Sequence, residues 1–308
     1  MGRVRRVLRA TAIVATLPYI GLKVAWMAGS HLGIPEGSRL RTAGPLVLSV
    51  NAVTMLMDVA LVVLVLALTR PWGRRIPGWL LLVPGFVACG LLTPILAAFP
   101  AQTLLHAVGI GTDTAAPAAG GEVFLDDWVF TVVYTGFTVQ ALALAGLFVP
   151  YAKERWGHLW RRTAGLSAGP RALAVGAAVG AVAYAGTQLH WALGGTAGLT
   201  AALAAERTTD TAVVGSAQAL CALAGAAGAL LLAFGRGRGA RTPLALAWVG
   251  SSAAAAWGGW TGLAALIPGG DAAKEATTVL LLTYAGQMIT GMLAAAVVAR
   301  FLTARSAE

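Results

Sequence analysis

Two side chains in this 308-residue chain carry charge where charge is costly. Lys23 is the only Lys, Arg, Asp or Glu between Arg9 and Glu36, and Asp58 is the only one between Arg41 and Arg70. In a membrane-spanning helix each costs about 2.5–3.5 kcal/mol on insertion scales, so each calls for a partner. Lys23 stands seven residues before Ser30, about 10 Å from the outer end of its run at 1.5 Å per residue. Asp58 stands 14 residues after Gly44, about 20 Å from the same edge by the same rise. Side chains lean toward a helix's N-terminus. That direction is inward in the first run and outward in the antiparallel second, so the two charges lean toward one another. Such a pair either locks two helices or forms a polar site for an ion, a proton or a charged group of a small molecule. Asn51 and Thr54 share the Asp58 face at i, i+3 and i+7 and extend it into a polar stripe. In the second half of the chain, Gln188 takes the place of Lys23. The candidate binding residues are therefore Lys23, Asp58, Asn51, Thr54 and Gln188.

Other reactive types do not form constellations. His31, His106, His158 and His190 have neither H-E-x-x-H spacing nor an i, i+4 pair, so no metal site is expected. Gly165-Leu-Ser167-Ala-Gly169 matches G-x-S-x-G but lies in a basic loop before Pro170, without the strand that would present a nucleophile. Gly235, Gly237 and Gly239 alternate with Arg in a charged turn, not a phosphate cradle. Cys89 and Cys221 both fall inside apolar runs and imply no disulfide framework or redox pair. The expectation is a protein that is not an enzyme and carries no cofactor.

The elements that must position Lys23 and Asp58 are membrane helices. Apolar residues make up 58% of the chain and charged ones 11%, with a mean hydropathy of +0.76. An ordinary soluble domain has roughly 25% charge. The formal net charge of +10 would suggest nucleic acid if it shared one face, but it is scattered between apolar runs. Eight windows of the length needed to cross a bilayer can be read: 10–30, 45–69, 78–99, 128–150, 171–192, 211–234, 243–266 and 276–299. The third contains Pro84 and Pro94, which predict a bend. With the N-terminus inside, 17 of the 22 Lys and Arg fall on the inner side, beginning with Arg3, Arg5, Arg6 and Arg9. Four fall outside: Arg39, Arg41, Arg207 and Lys274. Lys and Arg set orientation, so both termini are placed in the cytoplasm of a cell-membrane protein. Nine acidic residues lie outside, among them Asp113, Glu122, Asp126 and Asp127 in the loop 100–127. Residues 10–30 are long for a signal peptide and lack a clean A-x-A cleavage site.

The two halves echo each other. Tyr19-x-Gly21-x-Lys23-x-x-Trp26-x-x-Gly29, then Gly33, matches Tyr184-x-Gly186-x-Gln188-x-x-Trp191-x-x-Gly194, then Gly198, at an offset of 165. Asn51, Thr54 and Asp58 match Gln218, Cys221 and Gly225 at 167, and Tyr134-Thr-Gly136 matches Tyr284-Ala-Gly286 at 150. The reading is a 4+4 parallel duplication, with repeats at 1–160 and 161–308 related by an axis along the membrane normal. Tyr19, Trp26, Tyr184 and Trp191 are expected to anchor at the interface or pack between helices. The Y-x-G glycines, and the pairs Gly29/Gly33, Gly176/Gly180, Gly194/Gly198 and Gly258/Gly262, are expected to bring helices close together.

The run Leu17-Pro18-Tyr19, Leu22-Lys23, Trp26 and Gly29 resembles the first helix of a group of multi-pass membrane proteins from high-GC actinobacteria. The resemblance implies a polytopic helical fold and supplies no activity or functional residues. From the residues themselves the fold class is all-α, an eight-span transmembrane bundle. The functional reading leans to a transporter-like or small-molecule-binding bundle with a polar midplane site. The alternative is a non-transporting sensor, immunity or accessory subunit. The lipid bilayer is the one partner implied; a protein partner or a homo-oligomer stays open.

Overall fold

The computed structural model describes residues 2–41, 44–111, 125–160, 165–236, 239–266 and 275–306, and among them every regular element is helical. Asp113, Glu122, Arg161, Arg162, Arg238 and Lys274 lie outside the described residues. The first apolar run folds as α1 (Arg3–Val14) and α2 (Leu17–Met27). The break falls where Pro18 lacks the N–H that the Val14 carbonyl would accept. Thr16 turns its hydroxyl back to the Ile13 carbonyl at 2.6 Å. Next come α3 (Pro45–Thr69), with proline in its first turn, and α4 (Gly78–Ala107). α4 is continuous through Pro84, Pro94 and Pro100 and is capped beyond its end by Gly109 at φ +79°. The segment read from sequence as loop 100–127 therefore opens with two further helical turns.

α5 spans Asp127–Trp156, with Asp127 in its first turn, where the helix dipole favours a carboxylate. α6 (Ala168–Ala192) and the short α7 (Ala201–Ala205) follow. α8 (Thr209–Ala233) starts on a reciprocal Thr208–Thr211 capping box. α9 (Arg241–Ala265) and α10 (Thr278–Ser306) complete the described chain.

Seven helical stretches among the described residues are long and apolar enough to cross a membrane, α1 and α2 counting as one. α9 is as long as α6 and α8 but is not among the seven. Its composition has a packing cause: no residue from 246 to 262 is exposed. A side chain on Gly225 would strike the backbone at Gly250 at 2.7 Å. Gly258 lies against the backbone of Met288, and Gly291 against that of Ala255. A helix that packs closely on its neighbours along its length needs small residues more than apolar ones.

The chain forms two compact units, residues 1–85 with 113–152, and residues 86–112 with 153–308. In the first, α1, α2 and α3 pack with the greater part of α5, and Tyr151 donates from its buried hydroxyl to the Gly73 carbonyl at 3.2 Å. In the second, α6, α8, α9 and α10 close on a core that includes Ala177, Ala229, Leu232, Val297 and Phe301.

The glycine motifs divide by use. Gly176 and Gly180 face Leu293 and Thr290, and Gly258 and Gly262 face Met288 and Tyr284, so these two pairs are helix contacts. Gly29, Gly33, Gly194 and Gly198 have positive φ and form turns instead. Of the four Y-x-G glycines only Gly136 makes a close approach, to the Ala15 carbonyl at the break in the first span; Gly21, Gly186 and Gly286 have open space beside them.

Candidate functional site

In the first unit α2 and α3 bring the two membrane charges together. Lys23 Nζ donates to Asp58 Oδ2 at 2.5 Å. The same ammonium sits 3.7 Å from the centroid of the Tyr19 ring. Tyr19 and Lys23 are i, i+4 neighbours on α2, which aligns ring and cation on one face. A cation over a desolvated aromatic face gains about 2 kcal/mol. The Tyr19 ring is itself held edge-on by Phe137 of α5, with centroids 5.2 Å apart. Tyr134 packs on the other side of Phe137 at 6.3 Å and stacks on Phe130 at 6.2 Å. An aromatic wall on α5 thus fixes the ring that covers the charge.

The two charges differ in access. The Lys23 side chain is wholly buried, whereas that of Asp58 keeps 12% of its surface exposed. Both residues are buried, and the carboxylate is the less deeply buried of the two.

Thr54 shares the Asp58 face of α3, but its hydroxyl proton is used locally. The Thr54 hydroxyl turns back onto its own helix, to the carbonyls of Val50 at 2.9 Å and Asn51 at 3.2 Å. Asn51 is half-buried on the same helix. Gln188 belongs to the second unit and to a different centre. There it donates from Nε2 to the Tyr184 hydroxyl at 2.8 Å, and Tyr184 donates to Gln218 Oε1 at 2.9 Å. Gln287 on α10 approaches the same Gln218 oxygen at 3.5 Å. Its own Oε1 is buried with no hydrogen-bond partner among the described residues. This centre is neutral, with amides and a phenol where the first unit has an ion pair and a phenol. Tyr19 and Tyr184, expected to anchor at the interface or pack between helices, both stand in polar centres. Tyr19 was recoverable from its i, i+4 spacing to Lys23. Gln287 was not, because its partners lie on other helices.

The two tryptophans tie turns. Trp26 Nε1 donates to the Leu32 carbonyl at 2.7 Å, and Trp191 Nε1 to the Ala197 carbonyl at 3.1 Å, each six residues ahead. Gly29 and Gly194 follow at φ +88° in both cases. Gly33 (φ +71°) is then covered by Val129, and Gly198 (φ +80°) by Val279. The same local geometry recurs at offsets of 165 and 150. No group of three or more His, Cys, Asp or Glu among the described residues is placed to hold a metal ion. Cys89 and Cys221 are both free thiols. No family model, curated protein or solved structure matches this chain.

Proposed function

We propose that this protein is an eight-span bundle of two duplicated four-helix repeats that binds a small ion or polar molecule at Lys23–Asp58, in the manner of a transporter. The observation that carries the reading is the unequal burial within the pair, a wholly buried ammonium beside a carboxylate whose side chain keeps 12% of its surface exposed. Exchange needs one member that can be reached while its counter-charge stays in place; a purely structural lock needs neither. The eighth span is α9, whose 25 residues span about 37 Å as a helix against a hydrocarbon core of about 30 Å. Duplication is supported by the recurring turn after Trp26 and Trp191, with matching glycines and matching Val129 and Val279. The excess of Lys and Arg on one side supports a cell-membrane protein with both termini in the cytoplasm. The protein works without chemical catalysis in this reading.

One observation favours the alternative, a sensor, immunity or accessory subunit. The centre in the second unit is neutral, so the charge is confined to one repeat.

Reconstitution separates the readings. Proteoliposomes loaded with a dye selective for H+, Na+ or K+ are placed in the corresponding gradient. The wild type is expected to dissipate at least one gradient, and the folded double variant Lys23→Met/Asp58→Leu to dissipate none. Equal flux through the double variant, or no flux through the wild type in any gradient, contradicts transport at this pair.

A further inference from the structure

An open groove of about 630 Å³ runs between the first span and α5 in the first unit. Its lips are two facing stripes at i, i+4 and i+8: Ala10, Val14 and Pro18 on one side, Thr131, Thr135 and Val139 on the other. All six are exposed. The lining is almost wholly apolar, and the Thr131 hydroxyl is turned back to the Asp127 carbonyl at 3.1 Å. The stripe on α1 does not stop at Ala10. Arg6 is its next member at i−4, and Arg3 follows one turn further; both are exposed. No acidic residue occurs in α1.

We infer that this groove is a binding site for one anionic phospholipid, with an acyl chain between α1/α2 and α5 and the headgroup phosphate on Arg3 and Arg6. The dimensions agree. Ala10 to Pro18 is about 12 Å of helix, and Arg6 adds about 6 Å. A single leaflet's hydrocarbon layer is roughly 15 Å thick, half of the core. A chain entering from the Arg6 end therefore reaches Pro18 while its headgroup remains at the membrane surface. Gly136 forms part of the floor, where its missing side chain lets α5 approach the Ala15 carbonyl at the break in the first span. Charge complementarity selects the headgroup: basic residues at a membrane surface favour anionic over zwitterionic lipid, and two arginines give roughly 30-fold enrichment.

The test is native mass spectrometry of the full-length protein, extracted in mild detergent from vesicles of equimolar phosphatidylglycerol and phosphatidylcholine. One retained lipid per chain is expected, with phosphatidylglycerol enriched roughly 30-fold. Arg3→Gln/Arg6→Gln should keep a retained lipid but bring the two headgroups to near parity. Val14→Trp/Val139→Trp fills the groove from two exposed positions, 60% and 37% accessible, that the core does not use. It should lose the retained lipid whatever the headgroup, with the thermal melt confirming a folded protein. If that variant does not fold, Thr135→Phe fills the middle of the groove from a third exposed position and should have the same effect. Equal retention of both lipids by the wild type overturns the inference. So does undiminished retention in the filled-groove variants, and so does a dimer that those variants dissociate, which would make the occupant a second copy of the chain.

Discussion

Neutralising Asp58 alone should harm the protein more than neutralising Asp58 and Lys23 together. Asp58→Leu leaves the Lys23 ammonium wholly buried against the Tyr19 ring, with its carboxylate partner gone. Breaking a buried pair from one side typically costs about 3–5 kcal/mol. The loss here belongs near the upper end, because the stranded charge has no access to solvent. Lys23→Met strands a carboxylate that retains some exposure, so its loss belongs nearer about 3 kcal/mol. Apolar replacement of both partners removes the desolvation cost along with the attraction and should come within about 1–2 kcal/mol of the wild type. The coupling, the double loss set against the sum of the single losses, is then about 6–7 kcal/mol. Reversible unfolding by SDS in mixed micelles, followed through the ten tryptophans, measures all four corners of the cycle. Two single losses that simply add in the double variant would refute the pairing argument.

The glycines give a second contrast. Gly258→Leu and Gly291→Leu drive side chains into facing backbone and should abolish the folded state, whereas Gly21→Ala, Gly186→Ala and Gly286→Ala have room and should leave melting unchanged or raise stability by about 1 kcal/mol. The turns should respond in parallel. Gly33→Ala and Gly198→Ala each carry left-handed strain of about 1–2 kcal/mol, with a displaced valine in addition. Trp26→Phe and Trp191→Phe each lose a hydrogen bond worth about 1 kcal/mol, so a large effect at only one of the two turns would argue against their equivalence and against the proposed duplication. For topology, reporter fusions after Gly239 should read inside and fusions after Gly270 outside; the same sign on both sides of α9 would remove the eighth span.

Much of the helical layout was legible because apolar length and Pro, Gly or charged punctuation reflect the bilayer directly. The ends were less legible. α4 runs past its apolar window to Ala107, since a helix continues wherever its backbone bonds can form. α9 was readable as a helix by length, and its Gly, Ser and Ala content follows its close contacts with α8 and α10. The Lys23–Asp58 encounter followed from the lean of side chains on antiparallel helices. Thr54 was misleading: its spacing puts it on the right face, but a hydroxyl in a helix readily bonds the carbonyl one turn back. Gly29/Gly33 and Gly194/Gly198 have the spacing of a packing motif and the conformation of a turn, which their position at the ends of α2 and α6 decides. Gln218 and Gln287 meet only across helices, and nothing local in the sequence marks them as partners.

Infrared difference spectroscopy of the reconstituted protein tests the central claim most directly, because it reads the Asp58 carboxylate itself. The band that is present in the wild type and missing in Asp58→Asn should shift when H2O is replaced by D2O and when the cation that drives flux is added. A band that ignores both exchanges would mean a sealed pair, and the exchange site proposed at Lys23–Asp58 would be contradicted.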